Sequence, residues 1–348
     1  MSDEGTPRAS RWFGIELWPR GRMKKRLVVY AVLLVVGWAF MYWSCRCRDD
    51  GTVGKPPKEL LEIETRLKAS VHHLAQTIGK RSFQQFQSLE RAADWIVECW
   101  KGQGLRPTEH TYIGMWKLRF RNLEVDVAGP AGAPIVIVGA HYDSMFETPG
   151  ADDNASGVAA LLEISRALAG KRLTRRLRCV AFANEEPPFF DTAEMGSRMY
   201  AAHAKNRGDR IAAMVSLECL GYYTDVPRSQ KYPPIFSWFY PDRGNFVGVV
   251  GNLGSRALVG DFARMLRRST DVPVQCCSTW GGMSGIFWSD HSSFWPLGVP
   301  AVMVTDTALF RNPNYHEESD RPGTLDYGRF ARVTAGLADA VRLLCGGE

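Results

Sequence analysis

The chain has 348 residues, 45% of them hydrophobic and 23% charged, which is the composition of a globular protein and excludes a disordered one. That length holds one large domain or two modest ones. The formal charge of +6 lies entirely in residues 1–58, with 11 Lys/Arg against 5 Asp/Glu; the remaining residues carry 32 of each sign. The main domain is therefore neutral, and no nucleic-acid partner is expected.

Leu27 to Ser44 is 18 residues without a formal charge. As a helix it spans roughly 27 Å, close to a hydrocarbon core of about 30 Å. Trp38, Tyr42 and Trp43 cluster at its far end, as an interfacial aromatic belt does. Arg20, Arg22, Lys24, Lys25 and Arg26 precede it, whereas only Arg46 and Arg48 follow closely, ahead of Asp49 and Asp50. The charge asymmetry predicts a cytoplasmic basic tail at 1–26, a membrane anchor at 27–45 and a chain that continues on the extracytoplasmic side. A cleaved signal peptide is the main competitor, but its apolar region is shorter and ends in small residues. Here the exit reads MYWSCRC. Residues 46–58, with two Gly and two Pro, read as a linker, which leaves 59–348 as the main domain.

In that domain Glu59–Ile78 has apolar residues at helical spacing, and a second helix is expected over Ser88–Gln103 with Gly104 as its stop. Alternation between Thr111 and Val127 suggests strands, one of them at an edge. Ile135–Gly139 is uniformly apolar and suits a central strand covered on both faces. Helices then follow at Ser156–Leu168, Gly196–Lys205, Ser255–Ser269 and Leu325–Leu344. Strands are expected at Leu177–Ala183, Met214–Leu217, Phe246–Val250 and Val299–Thr305. Such alternation predicts a single α/β domain built on a mixed, mostly parallel sheet with helices on both faces. The eight cysteines include no C-x-x-C pair, so a zinc ribbon is excluded; Cys179 and Cys219 read as buried thiols.

Acids and imidazoles recur at the predicted carboxyl ends of these strands, where α/β sheets place their sites. The first strand leads to His141 and Asp143, then to the turn with Asp152 and Asp153. The next ends in Asn184-Glu185-Glu186, the following one in Glu218, and the last leads to His316. A nitrogen/oxygen set so rich in carboxylates suits zinc, and two ions better than one. Taken singly, each residue has a plainer reading: Asp143 and Asp152 as turn carboxylates, Glu185 and Glu186 as a solvated loop, His316 as a surface histidine, ADDN as a helix cap. Their joint position on one rim favours a metal site.

GAHYDS, PGADDNASG, FANEE, GSRMYA, SLECLGY, SDHSSFWPLGVPA and NPNYHEESDRPGTLDY, in that order, resemble the M28 family of zinc-dependent aminopeptidases and carboxypeptidases. The resemblance implies a zinc-exopeptidase fold, two zinc ions and a peptide substrate. It implies His141 and Glu218 on one ion, Glu186 and His316 on the other, Asp153 bridging, and Glu185 as the base. Glu218 departs from the Asp of many family members, which leaves coordination there open. Asp143 is placed to orient His141 and Asp152 to shape the turn through its backbone; Asp290 and His291 are expected in the pocket wall or behind the ligands.

Two insertions, around 187–195 and 222–246, carry aromatic residues. Tyr232, Phe236, Trp238 and Tyr240, with Trp280, Phe287 and Trp288, would wall a pocket for an apolar side chain or form a packed covering loop. An exopeptidase, with aminopeptidase favoured over carboxypeptidase, is the leading expectation. A single-zinc transferase like the glutaminyl cyclases, which share the fold, is one alternative, and a non-catalytic receptor or interaction domain is the other.

Overall fold

The computed structural model describes residues 20–45, 59–234 and 236–347. The chain divides into two compact units, Met1–Trp43 and Ser44–Glu348. The described part of the first is helix α1 (Arg20–Cys45) up to Trp43; the helix covers the apolar stretch and exposes Leu27, Leu33, Leu34 and Trp38. No helix among the described residues is long and apolar enough to cross a membrane, so the fold does not show the expected span at 27–45. The expected linker at 46–58 and most of the tail at 1–26 lie outside the described residues.

The second unit is built on one eight-stranded sheet of order β1-β2-β4-β3-β5-β8-β6-β7. Its strands are β1 (Thr108–Ile113), β2 (Arg119–Ala128), β3 (Ile135–His141), β4 (Arg176–Phe182), β5 (Ile211–Glu218), β6 (Val247–Asn252), β7 (Val274–Thr279) and β8 (Ala301–Thr305). β4, β3, β5 and β8 are mutually parallel neighbours, β6 runs antiparallel to β8, and β1 and β2 form an antiparallel margin. β3 is buried along its whole length, as its unbroken apolar run requires.

Successive residues of β3 feed opposite faces. Val136, Val138 and Ala140 enter a core made with α2 (Leu60–His72), α3 (Phe86–Gly102), α4 (Gly157–Leu168), α6 (Arg256–Ser269) and α7 (Tyr327–Leu344). Ile135 and Ile137 enter a smaller core with Tyr200, Ala201 and Ala204 of α5 (Gly196–Asn206) and with Phe294. Most of these helices turn a stripe inward at three- and four-residue spacing; in α3 the stripe is Leu89, Ala92, Ala93, Ile96 and Trp100, whereas α4 is buried on all sides from Gly157 to Ser165. Each fully buried Leu, Ile or Phe contributes about 1.5–3 kcal/mol.

The expected elements are present with modest shifts. The first helix of this unit ends at His72 and continues as a π turn over His73–Ile78. The edge strand β7, sequence VQCCST, and the 3₁₀ segment Asp290–Leu297 were not foreseen. β7 mixes polar and cysteine residues and needs β6 beside it to become a strand.

Candidate metal centre

The sheet sets the site. β4, β3, β5 and β8 all point their carboxyl ends to one rim, and the chain passes from β3 to β4 on one side and to β5 on the other. Such a switch point opens a crevice. His141 is the last residue of β3 and Glu218 the last of β5. Glu185 and Glu186 follow β4 by a few residues, His316 lies in the loop after β8, and Asp153 sits in a π turn, Ala151–Ser156, that opens α4.

Asp153 faces two ways. Its Oδ1 is 3.3 Å from His141 Nε2, and Glu218 Oε2 is 3.4 Å from that same nitrogen. Its Oδ2 is 3.1 Å from His316 Nε2, with Glu186 Oε2 at 3.5 Å. The structure thus brings together His141, Asp153 and Glu218 in one group and Asp153, Glu186 and His316 in a second. Glu185 stands a little farther back, its Oε2 4.0 Å from His141 Nε2, and joins His141 and Glu186 in a third grouping.

These residues fit zinc on two counts. Ligand atoms at ~2.0–2.2 Å around a tetrahedral ion lie roughly 3.3–3.6 Å from one another, and the histidine–carboxylate distances of the two groups, 3.1 to 3.5 Å, are close to that. The Nε2 atom of His316 and Oε1 of Glu186 are buried without a hydrogen-bond partner among the described residues. Electrostatics points the same way. Burial pushes Glu185 and Glu186 well above the usual carboxylate range, and neighbouring carboxylates add to it against the pull of His141. Burial also lifts Asp153, but the His141 and His316 imidazoles beside its two oxygens outweigh it and hold the group low. Buried, like-charged carboxylates at this density call for a cation.

The surrounding residues hold this geometry. Asp143 accepts from the backbone N–H of Glu185 and of Glu186, both at 3.1 Å, and its Oδ1 lies 3.3 Å from His141 Nδ1. One carboxylate therefore fixes a ring on β3 and two backbones after β4. Asp152 works through its side chain as well as its backbone: Oδ1 accepts from Gly221 N and Oδ2 from Asn312 Nδ2, each at 2.8 Å. Asn154 Oδ1 accepts from Gly157 N and Cys219 N, and a Cβ at Gly157 would collide with that side chain and lie 2.6 Å from Leu217 O. Asp290 is fully buried, and burial against the pull of His141 lifts it to about 7. His291 Nε2 is 2.8 Å from Ile286 O, and burial lowers it to about 4. Neither belongs to a ligand group; the direct contact comes from Ser289, whose hydroxyl donates to Glu218 Oε2 at 2.7 Å.

Sequence reasoning missed two residues here. Asp320 accepts from the backbone of Asp152 at 2.9 Å and of Asp153 at 3.1 Å, and burial raises it to about 7. It closes the motif around His316, so a signal existed four residues away. Arg81, fully buried, gave none: it is one basic residue in a polar run.

Beside Glu218 and Tyr315 opens an apolar pocket of about 120 Å³, walled by Tyr232, Phe236, Tyr240, Phe246 and Trp288. Part of the foreseen aromatic wall is elsewhere: Trp238 and Trp280 are 74% and 67% exposed, and Phe287 packs toward Phe190.

A doubly covered α/β sheet with histidines and carboxylates gathered on one rim defines a candidate metal-dependent enzyme. The chain belongs to peptidase family M28, whose model matches residues 122–341. It is 41% identical over 281 residues to the uncharacterized protein YfbL of Escherichia coli (strain K12), covering 78% of this chain and 85% of that one. It is 24% identical to a probable leucine aminopeptidase of Arthroderma otae, covering 73% of this chain and 66% of that protein. In fold it is similar to BSAP, a zinc aminopeptidase from Bacillus subtilis, with TM-score 0.65, 14% identity and coverage of 81% and 95%. It is also similar to Porphyromonas gingivalis glutaminyl cyclase, with TM-score 0.62, 17% identity and coverage of 81% and 98%. Family membership implies a peptidase acting on peptides and suggests zinc as the metal.

Proposed function

We propose that this protein is a zinc-dependent exopeptidase, specifically an aminopeptidase, with two zinc ions per chain. The observation that carries the reading is Asp153, whose two carboxylate oxygens face two different histidines at 3.3 and 3.1 Å. His141, Asp153 and Glu218 would hold one ion, and Asp153, Glu186 and His316 the other. Zinc bound there supplies a Lewis acid for the scissile carbonyl and lowers the pKa of a bound water.

Glu185 is the general base. It lies near the cluster without being the tightest partner of either histidine, its backbone is pinned by Asp143, and its burial makes it a strong proton acceptor. It takes the water's proton and passes it to the leaving amine. The apolar pocket receives the side chain of the first substrate residue, which favours large apolar or aromatic N-termini. Glu218 borders that pocket and so offers a carboxylate to the free amine; Glu185 is the other candidate for this contact.

Residues 27–45 are proposed as a single membrane anchor, with the basic tail cytoplasmic and the peptidase unit on the extracytoplasmic side. The support is the 18-residue uncharged run and its flanking charges, together with the exposed apolar side chains of α1. Zinc quantification combined with a panel of aminoacyl and N-blocked peptides tests the catalytic reading. Two zinc ions and cleavage confined to free-amine substrates support it. One zinc with cyclisation of N-terminal Gln would assign cyclase chemistry, and no turnover at all would leave a non-catalytic domain.

A further inference from the structure

Arg81 is the largest charged side chain removed from solvent, with no exposed surface. It lies between the π turn ending at Ile78 and the short 3₁₀ turn Phe83–Gln85. Its guanidinium spends its donors on backbone carbonyls alone. Nε donates to Tyr142 O at 2.9 Å; Nη1 to Leu74 O and Gly79 O at 2.9 Å and to Pro149 O at 2.7 Å; Nη2 to Gly150 O at 2.9 Å. Its own backbone N–H donates to Ser144 Oγ at 3.0 Å, and Ser144 N donates back to Arg81 O at 3.3 Å.

Those partners are not scattered. Tyr142 immediately follows His141, and Pro149 and Gly150 come just before the turn that holds Asp152 and Asp153. One planar fork thus closes the 142–150 loop at both ends and fixes the separation of the two segments that carry His141 and Asp153. Gly150 is at φ +61°, and a Cβ there would lie 3.0 Å from Arg81 Nη2, so the loop packs directly on the fork.

The charge also has a reason to be there. No carboxylate of the described residues forms a salt bridge with Arg81, and a buried cation without compensation is strongly unfavourable. Burial pushes the guanidinium down to about 10, and the carboxylates of Asp320, Asp143, Asp153 and Glu186, which are the candidate metal-site carboxylates and their immediate support, offset part of that effect through space.

We propose that Arg81 is a positioning residue of the metal centre, which sets the His141–Asp153 separation through the loop it clamps. The inference rests on the two-metal reading given above. Lysine would keep the charge but offers no planar five-donor fork, so Arg81→Lys separates geometry from charge.

The test measures zinc affinity of the full chain by competition with a chromophoric chelator, with far-UV circular dichroism and Tm of the metal-free protein alongside. A parent protein that binds no zinc overturns the metal reading itself, before any variant is compared. Given a parent that binds, R81K is expected to keep the parental circular dichroism and lose about 10–100-fold in zinc affinity. Val333→Ala, a substitution at a buried core position of α7 outside the candidate metal groups, controls for loss of stability and is expected to bind as the parent does. Parental affinity in a folded R81K overturns the proposal, and so does an equal loss in V333A. Should R81K fail to fold, Ser144→Ala decides, with Thr148→Val as its control. Ser144→Ala removes the hydroxyl that accepts from Arg81 N and also its bond to Thr148 O within the loop, while Ser144 N still donates to Arg81 O. A loss of about fivefold, the scale of one hydrogen bond, that T148V does not share supports the clamp; parental affinity, or an equal loss in T148V, overturns it.

Discussion

Glu185→Gln is the sharpest perturbation of the proposed chemistry. The amide has the shape of the acid, and the backbone at this position is held by Asp143 from outside the side chain. Its ion-pair contact among the described residues is with His141, at 4.0 Å, so the substitution breaks no close salt bridge and leaves both His-Asp-Glu groups intact. What is lost is a proton acceptor. Positioned proton transfer contributes about 10²–10⁴-fold, or ~3–5 kcal/mol of barrier. The variant should therefore hold zinc like the parent, keep KM within a few-fold, and lose two to four decades of kcat on a leucyl anilide. Turnover within about twofold of the parent at equal zinc content would remove Glu185 from the mechanism.

Three further outcomes follow from the structure. Glu124 is lifted by burial, but hydrogen bonds from Arg207 and Tyr200 and the nearby Arg178 hold it at about 2. A depressed carboxylate stabilises the fold above its unfolded pKa of about 4.3 and loses that contribution as pH falls toward 2, a difference of ~3 kcal/mol. Urea midpoints of parent and Glu124→Gln should thus be far apart at pH 7, draw together below about pH 4 and converge at about pH 2; a gap independent of pH contradicts the assignment. Phe236→Ala opens the wall of the apolar pocket and should lower kcat/KM about tenfold more for phenylalanyl than for alanyl substrates, within the ~1–3 kcal/mol typical of such contacts. Equal losses on both would place the first residue elsewhere. The full chain should resist alkaline carbonate extraction from membranes, and its release into the supernatant would remove the anchor at 27–45.

Much of the fold could be read from local pattern because the signals were redundant. β3 is apolar on both faces, and its neighbours alternate with amphipathic helices, so the central parallel strands and their carboxyl-end rim followed from periodicity. The candidate site residues were legible for a related reason: His141 and Glu218 end β3 and β5, Glu185 and Glu186 follow β4, and Asp153 and His316 lie in the segments after β3 and β8, all strands already located. What escaped depends on contacts distant in sequence. Asp320 reaches the backbone of Asp152 and Asp153 across more than 160 residues. Arg81 binds loops some 60 to 70 residues on. Asp152 was expected to act through its backbone, yet its side chain ties the turn to Gly221 and Asn312. Nothing local distinguishes such a carboxylate or guanidinium from a solvated one. The aromatic insertions show the opposite limit: composition located the pocket wall but not which rings turn inward, so Trp238 and Trp280 face outward while Phe236 and Tyr240 line the cavity.

The central claim is that Asp153 joins two metal positions. Anomalous diffraction at the zinc edge from crystals of the zinc-loaded protein tests it directly. Two peaks about 3.5–4 Å apart, one beside His141 and Glu218 and one beside Glu186 and His316, with Asp153 between them, are predicted. A single peak, or two that do not share Asp153, would contradict the account.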